Sequence, residues 1–136
     1  AREENITLIK ELGLEKDVVF TGYVAEEDLA LLYNTADVFV LPTLNEGGFA
    51  LPLLEAMACG CPIITSDLPV LYETVGDVGI MVDPLDSTEL AAKMYDVLTK
   101  NDLRDDLIQR GLQRSKQFTW QKTAQAMLEV YQELVQ

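Results

Sequence analysis

Histidine is absent from all 136 residues, so this chain supplies no imidazole as base, nucleophile or metal ligand. Cysteine is scarce too. Cys59 and Cys61 bracket Gly60, too close for an ordinary structural bridge, and two thiols alone make a poor zinc set. They read as small buried side chains at a helix-to-strand turn, and no metal site is expected. Basic residues number only 10 against 23 acidic ones, for a net charge of −13. Nucleic-acid binding draws on clustered Lys and Arg to release counterions, so no nucleic-acid partner is expected; the acidity serves solubility. No uncharged apolar run approaches the ~18 residues that cross a bilayer, and no signal-peptide pattern is visible, so the expected location is cytoplasmic. No G-x-G-x-x-G follows a strand and no Gly-Lys pair exists, which removes the dinucleotide fingerprint and the P-loop.

What remains is a chain 49% apolar, sufficient for one globular domain with one core. Ile6, Leu8, Ile9 and Leu12 trace a helical stripe stopped at Gly13. Val18-Val19-Phe20 is a short β-branched and aromatic run that predicts a strand, turning at Thr21-Gly22. A helix is expected over Glu26–Thr35, then a strand over Val38–Leu41 closed by Pro42. Pro52 opens the next helix as its first residue, Gly60 ends it, and Pro62–Thr65 gives a third strand. Pro69–Val75 reads as a short helix and Gly79–Val82 as a fourth strand. Ser87 is the expected cap of a helix to Lys100, another helix covers Leu103–Lys116, and Thr119 caps the last. Strands written as continuous apolar runs between helices predict a Rossmann-like α/β fold: a parallel sheet of about four strands flanked by helices. Ligands in such sheets sit beyond the carboxyl ends of the strands, so the turns after Phe20, Leu41, Thr65 and Val82 should share one rim.

The stretch Leu41–Ser66 carries the most chemistry. Glu46 precedes Gly47-Gly48, and Glu55 lies one turn into the following helix. A flexible backbone at a helix N-terminus suits a phosphate, whereas carboxylates suit hydroxyls. One loop can therefore grip both halves of a sugar nucleotide. Glu55 stands among Leu53, Leu54, Ala56, Met57 and Ala58, where desolvating a lone carboxylate is costly. It either contacts solvent near the helix start or faces a cleft and accepts bonds from a diol. The backbone of Thr21-Gly22-Tyr23-Val24 either borders a flat base or forms an ordinary turn. Cys61 and Met57 read as core, while Phe118, Trp120, Met127 and Tyr131 read as the apolar face of a docking helix.

Asp37-Val38-Phe39-Val40-Leu41-Pro42, Glu46 to Glu55, Ala56-Met57-Ala58-Cys59-Gly60 and Pro62-Ile63-Ile64 closely resemble the donor-binding region of family 4 retaining glycosyltransferases of GT-B fold. Val18–Val24, Gly76-Asp77-Val78-Gly79-Ile80 and Phe118-Thr119-Trp120 are similar to further landmarks of that family, and the resemblance spans essentially the whole chain. It implies a donor, a UDP-, GDP- or ADP-sugar, bound without a metal or other cofactor. Glu46 would contact sugar hydroxyls, with the backbone of Gly47, Gly48, Phe49 and Ala50 near sugar and diphosphate. Glu55 would bind the ribose hydroxyls, with Leu51 beside the nucleotide and Gly22, Tyr23 and Val24 bordering the base. No residue of this chain is carried over as catalytic.

Two departures from that family stand out. Its two glutamates are separated by seven residues; here eight intervene, an extra ~3.5 Å of extended chain. The family's carboxyl-terminal domain also begins with two further strands, which carry a basic pair for the leaving diphosphate, and an amino-terminal domain binds the acceptor and supplies a rim histidine. Residues 1–136 thus read as an incomplete GT-B C-terminal domain lacking the first two strands, inactive alone, or re-paired through its open strands with a second copy. The missing domain would also be the route to any peripheral membrane contact. A sucrose- or glycogen-synthase-like fragment and a non-catalytic binding or assembly module of the same fold remain the alternatives.

Overall fold

The computed structural model describes residues 2–44 and 49–134. In chain order these form α1 (Arg2–Glu11), α2 (Glu26–Thr35), β1 (Phe39–Leu41), α3 (Leu51–Ala58), β2 (Ile63–Ser66), α4 (Pro69–Val75), β3 (Ile80–Val82), α5 (Ser87–Thr99), α6 (Asn101–Ser115) and α7 (Trp120–Leu134).

The sheet has three parallel strands in the order β1-β2-β3. Phe39 pairs with Ile63 and Leu41 with Thr65 on one side of β2; Ile64 pairs with Ile80 and Ser66 with Val82 on the other. All four residues of the central strand β2 are buried. Their side chains alternate between two layers, as a period of two requires. Ile63 joins Tyr33, Leu53, Ala56, Met57, Leu71 and Val75 on one face. Ile64 joins Val82, Val97 and Leu107 on the other. Each fully buried aliphatic side chain contributes about 1.5–3 kcal/mol, so β2 and its two covering layers hold the fold together.

The sequence-based expectation of a strand at Val18–Phe20 is corrected here. These residues lie outside the sheet, which among the described residues therefore has three strands rather than about four. Val18 donates its N–H to Leu14 at 3.1 Å, closing a turn instead of a ladder, and Val19 is 80% exposed. Strand composition alone does not make a strand: stability comes from ladder pairing and from packing both faces, and a three-residue run supplies neither by itself. Among the described residues, α1 likewise contributes none to either core cluster.

Local signals fixed most boundaries. Gly60 at φ +74° ends α3 in a Schellman turn: Gly60 N–H donates to Met57 at 3.1 Å and Cys61 N–H to Ala56 at 2.9 Å. Pro52 falls at the second helical position rather than the first, still within the turn where its missing N–H costs nothing. The cap of α5 is Asp86, not Ser87, because the Asp86 carboxylate accepts from Glu89 N–H at 2.9 Å. Thr119 caps α7 as expected, its hydroxyl accepting from Lys122 N–H at 3.2 Å.

Candidate functional site

The carboxyl ends of the three parallel strands lie on one edge, and the exit of β1 is held there by a side chain. Ser66 Oγ, fully buried at the end of β2, accepts from Thr43 N–H and donates to Thr43 C=O, both at 2.7 Å. Thr65 Oγ1 adds a bond to the Leu41 carbonyl at 2.9 Å. Two hydroxyls thus extend the β1–β2 pairing past the last ladder bond and aim the chain into the loop before α3. Residues 45–48 of that loop, and with them Glu46, Gly47 and Gly48, lie outside the described residues.

The chain is described again from Phe49, with Ala50 as the N-cap of α3 and no side-chain cap. Leu51 N–H donates to Phe49 C=O at 2.9 Å and Leu53 N–H to Ala50 C=O at 3.0 Å, while Pro52 has no N–H. Two amides of the first turn are therefore already engaged. Any anion grip built from main-chain amides must draw on the loop ahead of α3.

Glu55 lies on α3 where the helix meets two hollows. One, of about 360 Å³, is lined by Phe49, Leu51, Leu54, Glu55, Phe118 and Trp120 among others. The other, of about 470 Å³, places Glu26, Leu29 and Tyr33 of α2 opposite Glu55 and Cys59. Both volumes fall within the ~300–1,000 Å³ common for small-molecule sites. The Glu55 side chain is exposed, yet one of its oxygens is held: Tyr33 O–H donates to Oε2 at 3.1 Å. The Tyr33 pKa is pushed up to about 12, first by burial and then by the hydrogen bond to Glu55, so the phenol stays a donor at neutral pH. Burial likewise raises the Cys61 thiol to about 11, which makes it unreactive.

Phe49, Ala50, Leu51 and Glu55 are thus brought together at the start of α3. Gly22, Tyr23 and Val24 are not part of that gathering. Tyr23 is 91% exposed, an added Cβ at Gly22 would meet nothing within 4 Å, and none of the three lines either hollow. Among the described residues, no group of three or more His, Cys, Asp or Glu side chains is placed to hold a metal ion. Three contributors to these hollows were missed from sequence: Tyr33, Phe118 and Trp120. Tyr33 looked like one more apolar position of a helical stripe, its hydroxyl invisible to periodicity. Phe118 looked like part of a docking face; instead its ring lies 5.6 Å from that of Phe49, under the Arg114 guanidinium at 5.1 Å. Arg114 is itself fixed by bonds to the Glu73 and Thr74 carbonyls at the end of α4.

The sequence profile of the family described as "Glycosyl transferases group 1" matches residues 1–114. The chain belongs to this family. Similar curated proteins include the O-antigen chain mannosyltransferase B of Escherichia coli, 40% identical over 112 residues, covering 82% of this chain and 29% of the relative. A D-inositol 3-phosphate glycosyltransferase of Salinispora arenicola is 35% identical over 132 residues, covering 96% of this chain and 29% of the relative. The chain therefore spans less than a third of the length of these curated relatives. Among solved structures, sucrose-phosphate synthase from Thermosynechococcus elongatus superposes with a TM-score of 0.88 at 32% identity, covering 98% of this chain and 34% of that one. The C-terminal domain of a group 1 family protein (LpcC) from Francisella tularensis superposes at 0.75 and 28% identity, covering 85% of this chain and 60% of that one. The α/β architecture of parallel sheet and flanking helices is thus that of GT-B glycosyltransferase domains.

Proposed function

We propose that this chain is the donor-binding part of a retaining glycosyltransferase, which transfers a sugar from a UDP-, GDP- or ADP-linked donor to an acceptor hydroxyl. The observation that carries the reading is Glu55: a carboxylate at the mouth of two ligand-sized hollows, fixed through one oxygen and exposed to solvent. An exposed carboxylate so placed accepts well from a vicinal diol. In this reading Glu55 takes the ribose hydroxyls with Leu51 beside the nucleotide. The loop carries Glu46 toward the sugar, with Gly47, Gly48, Phe49 and Ala50 along sugar and diphosphate. The backbone of Gly22, Tyr23 and Val24 borders the base.

The further parts of the proposal concern the parent protein. Residues 1–136 are its nucleotide-sugar-binding domain without the first two strands of the family pattern, and a separate N-terminal domain binds the acceptor. The isolated chain, with no histidine, binds donor but does not turn it over. It works in the cytoplasm, with membrane contact only through the other domain; among the described residues no helix is long and apolar enough to cross a membrane. β1, an outer strand of the sheet, is the edge where absent strands or a second copy would pair.

Calorimetric titration of the 136-residue chain with UDP, GDP and ADP tests this. One of them should give saturable heat, and Glu55→Ala should weaken it by ~1–3 kcal/mol, the range for hydrogen bonds to a charged group. Silence with all three nucleotides sinks the donor-binding reading, and turnover of any nucleotide sugar by this chain sinks the claim of inactivity. The superposition on sucrose-phosphate synthase favours a second reading, in which the donor grip is the same and the parent's acceptor is a sugar phosphate. Offering the full-length parent a sugar phosphate or a glycan acceptor separates the two.

A further inference from the structure

Glu55 is reached from across the fold by a residue 22 positions earlier. Tyr33 is 7% exposed and belongs to the core cluster that covers one face of the sheet. Its ring meets Phe39 of β1 edge-on, with centroids 5.3 Å apart and planes at 84°. The ring is therefore held by α2, β1 and α3 together, and Tyr33 lines the same hollow as Glu55. A solvent-facing glutamate on a helix samples several rotamers and presents its carboxylate in many directions. A rigid donor on Oε2 restricts that freedom and leaves Oε1 as the acceptor not engaged by the phenol. Burial and the carboxylate together keep the phenol protonated, its pKa pushed up to about 12, so the restraint persists at every pH where a nucleotide would be assayed.

We infer that Tyr33 is a positioning residue for the nucleotide site: by fixing one oxygen of Glu55 it presets the other for a ribose diol, and so makes the site select ribonucleotides over 2′-deoxyribonucleotides. This rests on the reading of Glu55 as the acceptor of ribose hydroxyls. The mechanism is preorganisation, in which the rotamer is chosen before the ligand arrives and less entropy is lost on binding.

The test compares affinities of the full chain for UDP, GDP and ADP with those for their 2′-deoxy counterparts, in wild type, Tyr33→Phe, Glu55→Ala and the double variant. Wild type should prefer the ribonucleotide at least tenfold. Tyr33→Phe keeps the ring and its packing; it should lower that preference by threefold or more, while affinity for the deoxynucleotide changes little. In the Glu55→Ala background the same change should have no effect, since nothing is left to position. A purely structural tyrosine would shift both affinities alike and leave their ratio intact, and that result overturns the proposal. If Glu55→Ala leaves ribonucleotide binding unaltered, the reading of the site itself is wrong and the proposal goes with it. If Glu55→Ala abolishes the preference but Tyr33→Phe preserves it, only the positioning role is lost. Should Tyr33→Phe not fold, Glu55→Asp carries the test. It keeps the charge but withdraws the carboxylate by one methylene from an untouched phenol, and an undiminished preference would refute the inference.

Discussion

Raising the pH through the tyrosine range should cost this protein stability that a version with phenylalanine at position 33 keeps. Tyr33 has its pKa pushed from 10.0 to about 12, with burial the largest cause, the hydrogen bond to Glu55 next, and the charges of Glu55, Cys59 and Cys61 after that. In the unfolded chain the phenol ionises near 10. Between there and about 12 the folded state binds more protons than the unfolded one. Stability therefore falls as pH rises through this window and is unaffected by Tyr33 below it. At about 1.4 kcal/mol for each pH unit that the window spans, the loss has a ceiling near ~3 kcal/mol. Chemical denaturation followed by circular dichroism, at closely spaced pH values across the alkaline range, gives the stability of wild type and Tyr33→Phe. Other groups titrate over the same range, Cys61 among them, because its thiol is raised to about 11. Their own titration is common to both proteins and drops out of the difference, apart from the small charge coupling of Cys59 and Cys61 to Tyr33. Below about pH 9 that difference should be flat. Above about pH 10 it should move in favour of Tyr33→Phe by about 1–3 kcal/mol. Two curves that stay parallel to about pH 12 would refute the claim that the phenol is held neutral by its surroundings.

Two further expectations concern the core beside the site. An alanine Cβ at Gly79 would stand 2.7 Å from Val75 Cγ1 and 2.8 Å from Ile63 Cγ1, both in fully packed residues, so Gly79→Ala should lower stability by ~1–3 kcal/mol in a denaturant titration. A neutral result would mean that the chain entering β3 can shift away from its neighbours at little cost. Thr74 Oγ1 is buried without a hydrogen-bond partner among the described residues, so Thr74→Val, which keeps the shape and drops the stranded hydroxyl, should be neutral or stabilising by up to ~1–2 kcal/mol in thermal melts. A marked destabilisation would reveal that the hydroxyl is in fact satisfied.

The amino-acid order by itself determined much of the local architecture. α2 and α4 run over Glu26–Thr35 and Pro69–Val75, the bounds expected from apolar spacing and from Pro69. The Gly60 stop, the Thr119 cap, the parallel sense of the sheet and the burial of Met57 and Cys61 were equally legible. Each depends on residues a few positions apart, the range over which periodicity and capping operate. Glu55 could be singled out as an unusual carboxylate, but not assigned a partner.

The tertiary structure decided what depends on distant neighbours. Val18-Val19-Phe20 has the composition of a strand, yet pairing is a property of two segments, and this one closes a turn outside the three-stranded sheet. Phe118, Trp120, Met127 and Tyr131 read as the apolar face of a docking helix, but none of the described residues of α7 is buried. Phe118 and Trp120 turned out to line a hollow with Glu55 instead. The hydroxyl of Tyr33 became informative only when packing carried α2 alongside α3 and set it 3.1 Å from a carboxylate. A sequence pattern records which side chains prefer burial; which two of them meet is settled when the whole chain packs, because only then is the space between them closed.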